Sequence, residues 1–224
     1  MAAENRSKMS VMLTSSNMAK SVAFYRDKLG FTMKESWPSE DAPQWCNLML
    51  DGQSIMLGAA MDPAKVGEMC QGDAAAEKHW RKASQEFIDN KPGVGMQVYV
   101  MVPDIDAYHA EIKERGVAVE AEPKTQFYGI REVPVDDPDG YRLILFTPVA
   151  MEQCQSCGMP LSDAEPGQMF CAYCTDDEGV LHPYEKIFEG TVTGYFMRMQ
   201  KMDRRAAEEA AKEHLAKMPA WAGR

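Results

Sequence analysis

Two cysteine pairs, Cys154-Gln-Ser-Cys157 and Cys171-Ala-Tyr-Cys174, stand thirteen residues apart in the last third of a 224-residue chain. A CxxC pair presents two thiolates from one tight turn, and two such turns facing each other complete the tetrahedron of sulfurs that zinc prefers. Four thiolates saturate the ion and leave no position for water or substrate. The chemistry expected here is therefore structural, a small segment with little core stapled by zinc. Redox use of either pair is the weaker reading, because neither opens a helix after a βαβ pattern and both occur together. Cys46 and Cys70 lie outside the cluster, with nothing near them in sequence to lower a thiol pKa, and read as inert.

Upstream of the cysteines the elements repeat. In the first copy an apolar stretch, Met9 to Leu13, precedes a helix capped by Asn17, with Met18, Val22, Tyr25 and Leu29 on its apolar face and Gly30 as its stop. Short apolar runs follow at Trp45 to Leu50 and Ser54 to Leu57, joined by the turn Asp51-Gly52. In the second copy Met96 to Val102 reads as a strand, and Pro103-Asp104 opens a helix with Ile105, Tyr108 and Ile112 on its buried stripe. Strands are expected at Val117 to Val119, Gly129 to Val135 and Tyr141 to Phe146, the last two joined by Asp137-Pro-Asp-Gly140. Asp73 to Asp89 reads as an extra helix between the copies, ended by Asn90-Lys-Pro-Gly93. After the cysteines the chain turns helical from Tyr184 to about Met202 and again from Asp203 to Lys217, with Pro219 as the stop.

Ser21-Val-Ala-Phe24-Tyr25-Arg-Asp-Lys-Leu29-Gly30-Phe31, Gly129-Ile-Arg-Glu132 and Asp137-Pro-Asp-Gly140-Tyr141 resemble the vicinal oxygen chelate superfamily of glyoxalase I, bleomycin resistance proteins and extradiol dioxygenases, across residues 8 to 148. The resemblance implies an α+β fold of paired βαβββ modules forming a half-open cup, with a ligand inside and often a dimer interface there. Residues 1–150 are assigned to this domain and residues 151–224 to a small four-cysteine zinc ribbon with a helical tail. Cys154 to Leu161 also resemble a bacterial zinc-ribbon family opening Cys-x-Ser-Cys-Gly-Met-Pro-Leu, whose function that likeness does not supply. Enzymes of the superfamily hold a divalent metal with His, Gln and Glu at the first and last strands of each module. Counting from Asn17, Asp104 and the Asp-Gly turns places those positions at Ser10, Met56, Gln97 and Ile144, of which only Gln97 carries a donor of that kind. His79, His109, His182 and His214 fall elsewhere and read as surface or helix positions.

A net charge of −10, with acidic residues in excess on both sides of Ala150, gives a phosphate backbone little to bind and argues against nucleic acid. No apolar run approaches the roughly 20 residues of a membrane span, and the polar start offers no signal peptide, so a cytoplasmic protein with reduced cysteines is expected. Eighteen methionines suit either core filling or an adaptable pocket. The function expected is metal-free sequestration of an apolar or aromatic small molecule, with Trp37, Trp45, Met56, Gln97, Tyr99, Phe127 and Tyr128 as ligand-binding residues and Cys154, Cys157, Cys171 and Cys174 holding structural zinc. The resemblance also implies a homodimer. The alternatives are a metal-dependent lyase or oxygenase of the glyoxalase and dioxygenase type, and an adaptor that binds protein through the ribbon.

Overall fold

The computed structural model describes residues 10–90 and 92–224; Met9 and Lys91, part of the first strand and of the residue 90–93 stop expected above, lie outside them. The chain divides into two compact units, Met1–Pro123 with Val133–Phe146, and Lys124–Glu132 with Thr147–Arg224.

The first module runs β1 (Val11–Ser15), α1 (Met18–Ala23), β2 (Thr32–Trp37), β3 (Trp45–Leu50) and β4 (Gln53–Ala59). Its sheet is ordered β1-β4-β3-β2, with β1 parallel to β4 and the remaining neighbours antiparallel. Asp51 and Gly52 both take positive φ, as a two-residue hairpin needs. Asn17 caps α1 by accepting from the Lys20 N–H. The helix then widens into a π turn, Phe24–Lys28. That extra residue lets the neighbours Phe24 and Tyr25 both enter the core, where Tyr25 packs edge-on against Phe24 and Phe31.

Two helices, α2 (Val66–Met69) and α3 (Ala74–Asp89, capped by Asp73), join the modules. The second module contributes β5 (Gln97–Met101), α4 (Ile105–Glu114, capped by Asp104), β6 (Lys124–Thr125), β7 (Ile130–Asp136) and β8 (Arg142–Pro148), in sheet order β5-β8-β7-β6. The expected strand at Val117 to Val119 is a correction. Those residues carry no strand; Val117 is instead buried as a plug after α4, and the edge strand is the two-residue β6, in the second unit. Gly116, at positive φ, turns the chain inward at this point.

Period-two alternation sorts both sheets. Leu13, Cys46, Leu48, Ile55 and Leu57 of the first, and Val100, Val133, Val135, Leu143 and Leu145 of the second, enter one core with the apolar stripes of α1 and α4. Their alternates turn away from it: Met12, Trp45, Asn47 and Met56 on the first sheet, Gln97, Tyr99, Met101, Arg142, Ile144 and Phe146 on the second.

In the second unit, two cysteine turns are closed by single bridges, Gln153 with Pro160 and Thr175 with Leu181. They are followed by α5 (Tyr184–Gly190), a π turn (Thr191–Met197) and α6 (Arg204–Leu215, capped by Asp203). The last helix ends at Leu215, just short of the expected Lys217, and Pro219 opens a separate 3-10 turn, Pro219–Trp221. Among the described residues no helix is long and apolar enough to cross a membrane.

Candidate functional site

The four cysteines converge. Cys154, Cys157, Cys171 and Cys174 place their sulfurs all within 4.8 Å of one another, and no other group of three or more His, Cys, Asp or Glu side chains so disposed occurs among the described residues. Four sulfurs at about 2.3 Å from a tetrahedral zinc lie about 3.8 Å apart. The Cys157 and Cys171 sulfurs are separated by 3.7 Å, so the donor set fits such an ion in both chemistry and spacing.

Each turn is shaped by its backbone. The Gly158 N–H donates to the Cys154 carbonyl at 2.8 Å and the Cys174 N–H to the Cys171 carbonyl at 2.9 Å, folding each CxxC so that its two side chains share a side. The Cys171 N–H also donates to the Cys154 sulfur at 3.3 Å. Hydrogen bonding from Cys157, and then from Cys174, pulls the Cys154 thiol far below the ordinary thiol range, while that shared bond pushes Cys157 up to about 12 and Cys174 higher still.

The helical tail packs on this knot. Ile187 and Leu215 join the buried cysteines, with Leu161, Phe170, Tyr184, Phe188 and Trp221 around them. Trp221 Nε1 donates to the Ser156 carbonyl at 3.0 Å. His214, expected to be a surface or helix position, meets the Cys157 carbonyl through Nε2 at 2.8 Å, and a Cβ at Gly158 would stand 3.2 Å from its ring. His109, also expected to be a surface or helix position, lies on α4 one turn beyond Ile105 and is buried there at 5% exposure, with Nδ1 3.5 Å from Glu122 and no partner at Nε2 among the described residues.

The expected ligand-binding residues fall in three places. Trp37 and Trp45 are direct cross-strand partners at the ends of β2 and β3. Met56 shares their face between Met12 on β1 and Asn47 on β3, and the Met12 side chain lies over Gly58. Gln97 and Tyr99 lie on β5 with Arg142 and Ile144 as register partners, and Tyr99 meets Phe146 edge-on at 5.8 Å. Phe127 and Tyr128 belong to the second unit, where their rings meet at 5.0 Å and the Tyr128 hydroxyl donates to Glu132 at 2.8 Å. Met12, Trp37, Tyr99 and Met101 are all exposed, which leaves broad apolar area on faces turned from the core.

A cavity of about 500 Å³ is lined by Gln97, Tyr99 and Arg142 with the loop Pro92 to Met96 and Gly140; Trp37, Trp45 and Met56 do not line it. A larger hollow of about 630 Å³ lies beside Ser16, Met61, Phe87 and Asp139. It contains none of the expected residues, and its Asp139 carboxylate already accepts from the Ser16 N–H and hydroxyl and the Ser21 hydroxyl. The smaller cavity is therefore the better candidate.

Of the four positions where the resemblance implies metal ligands, Met56 and Ile144 bring a thioether and a hydrocarbon to those outward faces, and Ile144 is buried there. Gln97 is exposed at the start of β5, and Ser10 is exposed one residue before β1.

The sequence motifs also acquire a structural role. The Tyr25 hydroxyl donates to the buried Asp137 carboxylate at 3.0 Å, and the N–H groups of Asp139 and Tyr141 donate to its other oxygen. The helix of the first module is thus tied to the hairpin turn of the second.

The chain matches the family model described as the Glyoxalase/Bleomycin resistance protein/Dioxygenase superfamily over residues 9–145, and that described as "Putative zinc ribbon domain" over residues 153–222. No curated protein matches it significantly. Solved structures similar to it include a glyoxalase/bleomycin resistance protein/dioxygenase from Nocardioides, at 18% identity over 71% of this chain and 87% of that one with TM-score 0.44. TioX from Micromonospora sp. ML1 is 20% identical over 65% of this chain and 99% of its own, TM-score 0.45. TnmS3, an antibiotic binding protein from Streptomyces sp. CB03234, is 22% identical over 64% and 98%, TM-score 0.42. With two βαβββ modules in order and a family model spanning them both, this chain belongs to the glyoxalase/bleomycin resistance protein/dioxygenase superfamily and carries a C-terminal zinc ribbon.

Proposed function

We propose that the N-terminal unit is a small-molecule-binding module that sequesters an apolar or aromatic ligand without a metal, and that the ribbon holds zinc as a structural ion. The feature that carries this reading is a thioether and a hydrocarbon, Met56 and Ile144, at two of the four positions where the resemblance implies metal ligands. Met56 sits between Met12 and Asn47, and Ile144 beside Tyr99, on faces turned away from the core. A hard or borderline cation gains no ligand from either side chain, whereas a planar apolar molecule gains dispersion contact from the half-buried Met56. Aromatic faces at Trp37, Trp45 and Tyr99 supply rigid surface at low entropic cost, and flexible methionines fill around whatever shape they meet.

The ribbon's role follows from its donor set. Four thiolates close the coordination sphere, so zinc contributes folding free energy to a unit whose cysteine turns have little other core. A thermal-shift screen of planar apolar compounds, run with the zinc-loaded protein with and without added manganese or nickel, tests the reading. Compounds that raise the midpoint equally in both conditions support it, since a ligand of the native state stabilises by mass action. Stabilisation that appears only with the added metal contradicts it.

A further inference from the structure

The outward face of the second sheet is ordered in rows. Parallel pairing sets Gln97 beside Arg142, Tyr99 beside Ile144 and Met101 beside Phe146. The first row is polar and the next two are apolar. Successive rows stand about 6.6 Å apart, since a strand rises about 3.3 Å per residue. The polar row and Tyr99 both line the cavity of about 500 Å³.

Arg142 is held in place. Its Nε and Nη2 donate to the two oxygens of Asp136 at 2.9 and 3.1 Å, a forked pair that fixes the plane of the guanidinium. Its Nη1 has no partner among the described residues, and neither has the Gln97 side-chain amide. A guanidinium edge and an amide N–H₂ lining the same cavity offer donors to a planar acceptor, and a carboxylate matches such donors best. About six to seven ångströms further along the strands lies the exposed ring of Tyr99, roughly the reach of a fused-ring body from its own carboxylate.

We infer that this face selects a planar aromatic carboxylate, with Gln97 and Arg142 as the specificity-determining residues for the acid group and Tyr99 under the rings. The inference rests on the metal-free binding proposed above and narrows its ligand. Because Asp136 already balances the guanidinium charge, selection comes from oriented donors and only weakly from net charge, in keeping with a chain of net charge −10. Binding should therefore change little between low and physiological salt.

Calorimetric titration of the zinc-loaded full chain with naphthoate and with methylnaphthalene tests this. The expected result is naphthoate binding about tenfold tighter, the value of one good hydrogen bond to a charged group, with Arg142→Met and Gln97→Leu each erasing most of that preference while methylnaphthalene binds as before. Both side chains are exposed, and circular dichroism verifies that the variants fold. Equal binding of the two compounds to the unmodified protein, or a preference that survives both substitutions, overturns the inference and leaves the apolar reading standing. If neither compound binds, that reading fails and this one with it.

Discussion

Burial holds the Asp137 carboxyl above the usual carboxylate range even though two backbone N–H groups and the Tyr25 hydroxyl donate to it, and the Tyr25 hydroxyl is raised well above its own range by burial and by that carboxylate. The folded state thus binds the Asp137 proton more tightly than the unfolded chain. Stability from the neutral carboxyl is full below the unfolded value near pH 4 and is lost as pH rises toward the folded one. Asp137→Asn keeps an acceptor for the Asp139 and Tyr141 N–H groups and removes this slope. Urea unfolding at pH 4 and pH 7 should show the variant gaining on the wild type as pH rises; a constant difference would show that Asp137 titrates normally. Tyr25→Phe leaves one carboxylate oxygen buried without its donor and should lower stability by about 1–3 kcal/mol in the same assay. At the other end of the chain, Cys154→Ser or Cys171→Ser removes one of four sulfurs from a closed sphere. Elemental analysis should show zinc lost and proteolysis should open the second unit, while the first keeps its resistance. Full zinc content in either variant would contradict the four-thiolate site.

The elements show which parts of this were legible in the sequence. The hairpin at Asp51-Gly52, the caps Asn17, Asp73, Asp104 and Asp203, and both CxxC turns follow from local chemistry, and each stands where its residues require. Val117 to Val119 did not, because a short apolar run is the same signal for a buried plug as for a strand, and only tertiary packing separates them. The burial of His109 was readable in principle, since it falls four residues after Ile105 and three before Ile112 on one helical stripe. His214 was not, because its partner is a backbone carbonyl 57 residues away. The same holds for Arg142: its place beside Gln97 depends on the register of β5 against β8, which no local pattern encodes. Gly93 carries an element-scale prediction in the loop before β5. It has φ +72, and a Cβ there would come within 3.0 Å of the Tyr141 backbone. Gly93→Ala should destabilise the first unit by about 1–3 kcal/mol and loosen the loop that lines the smaller cavity, measured as a lower urea midpoint and faster amide exchange at residues 92–96. An unchanged midpoint would mean that the loop yields without cost.

At the scale of the whole molecule, two units with separate cores share one chain: a superfamily domain whose sheets leave methionines and aromatic rings on their outward faces, and a cysteine knot clasped by its helical tail. Exposed apolar area of that kind is what self-association buries, and two-fold pairing is the commonest assembly. A homodimer is the expected state, read as twice the chain mass by light scattering at tens of micromolar; a monomer at that concentration would count against it. The central claim, an apolar metal-free binding face on the N-terminal unit, is tested most directly by following tryptophan fluorescence of the zinc-loaded protein while titrating a planar apolar compound, first unmodified and then as Met56→Glu. Saturable quenching through Trp37 and Trp45 is expected, weakened about tenfold or more by Met56→Glu, because a carboxylate in that position must be desolvated without a partner when the ligand covers it. Binding unchanged by Met56→Glu, or restored in that variant only when a divalent metal is added, would contradict it.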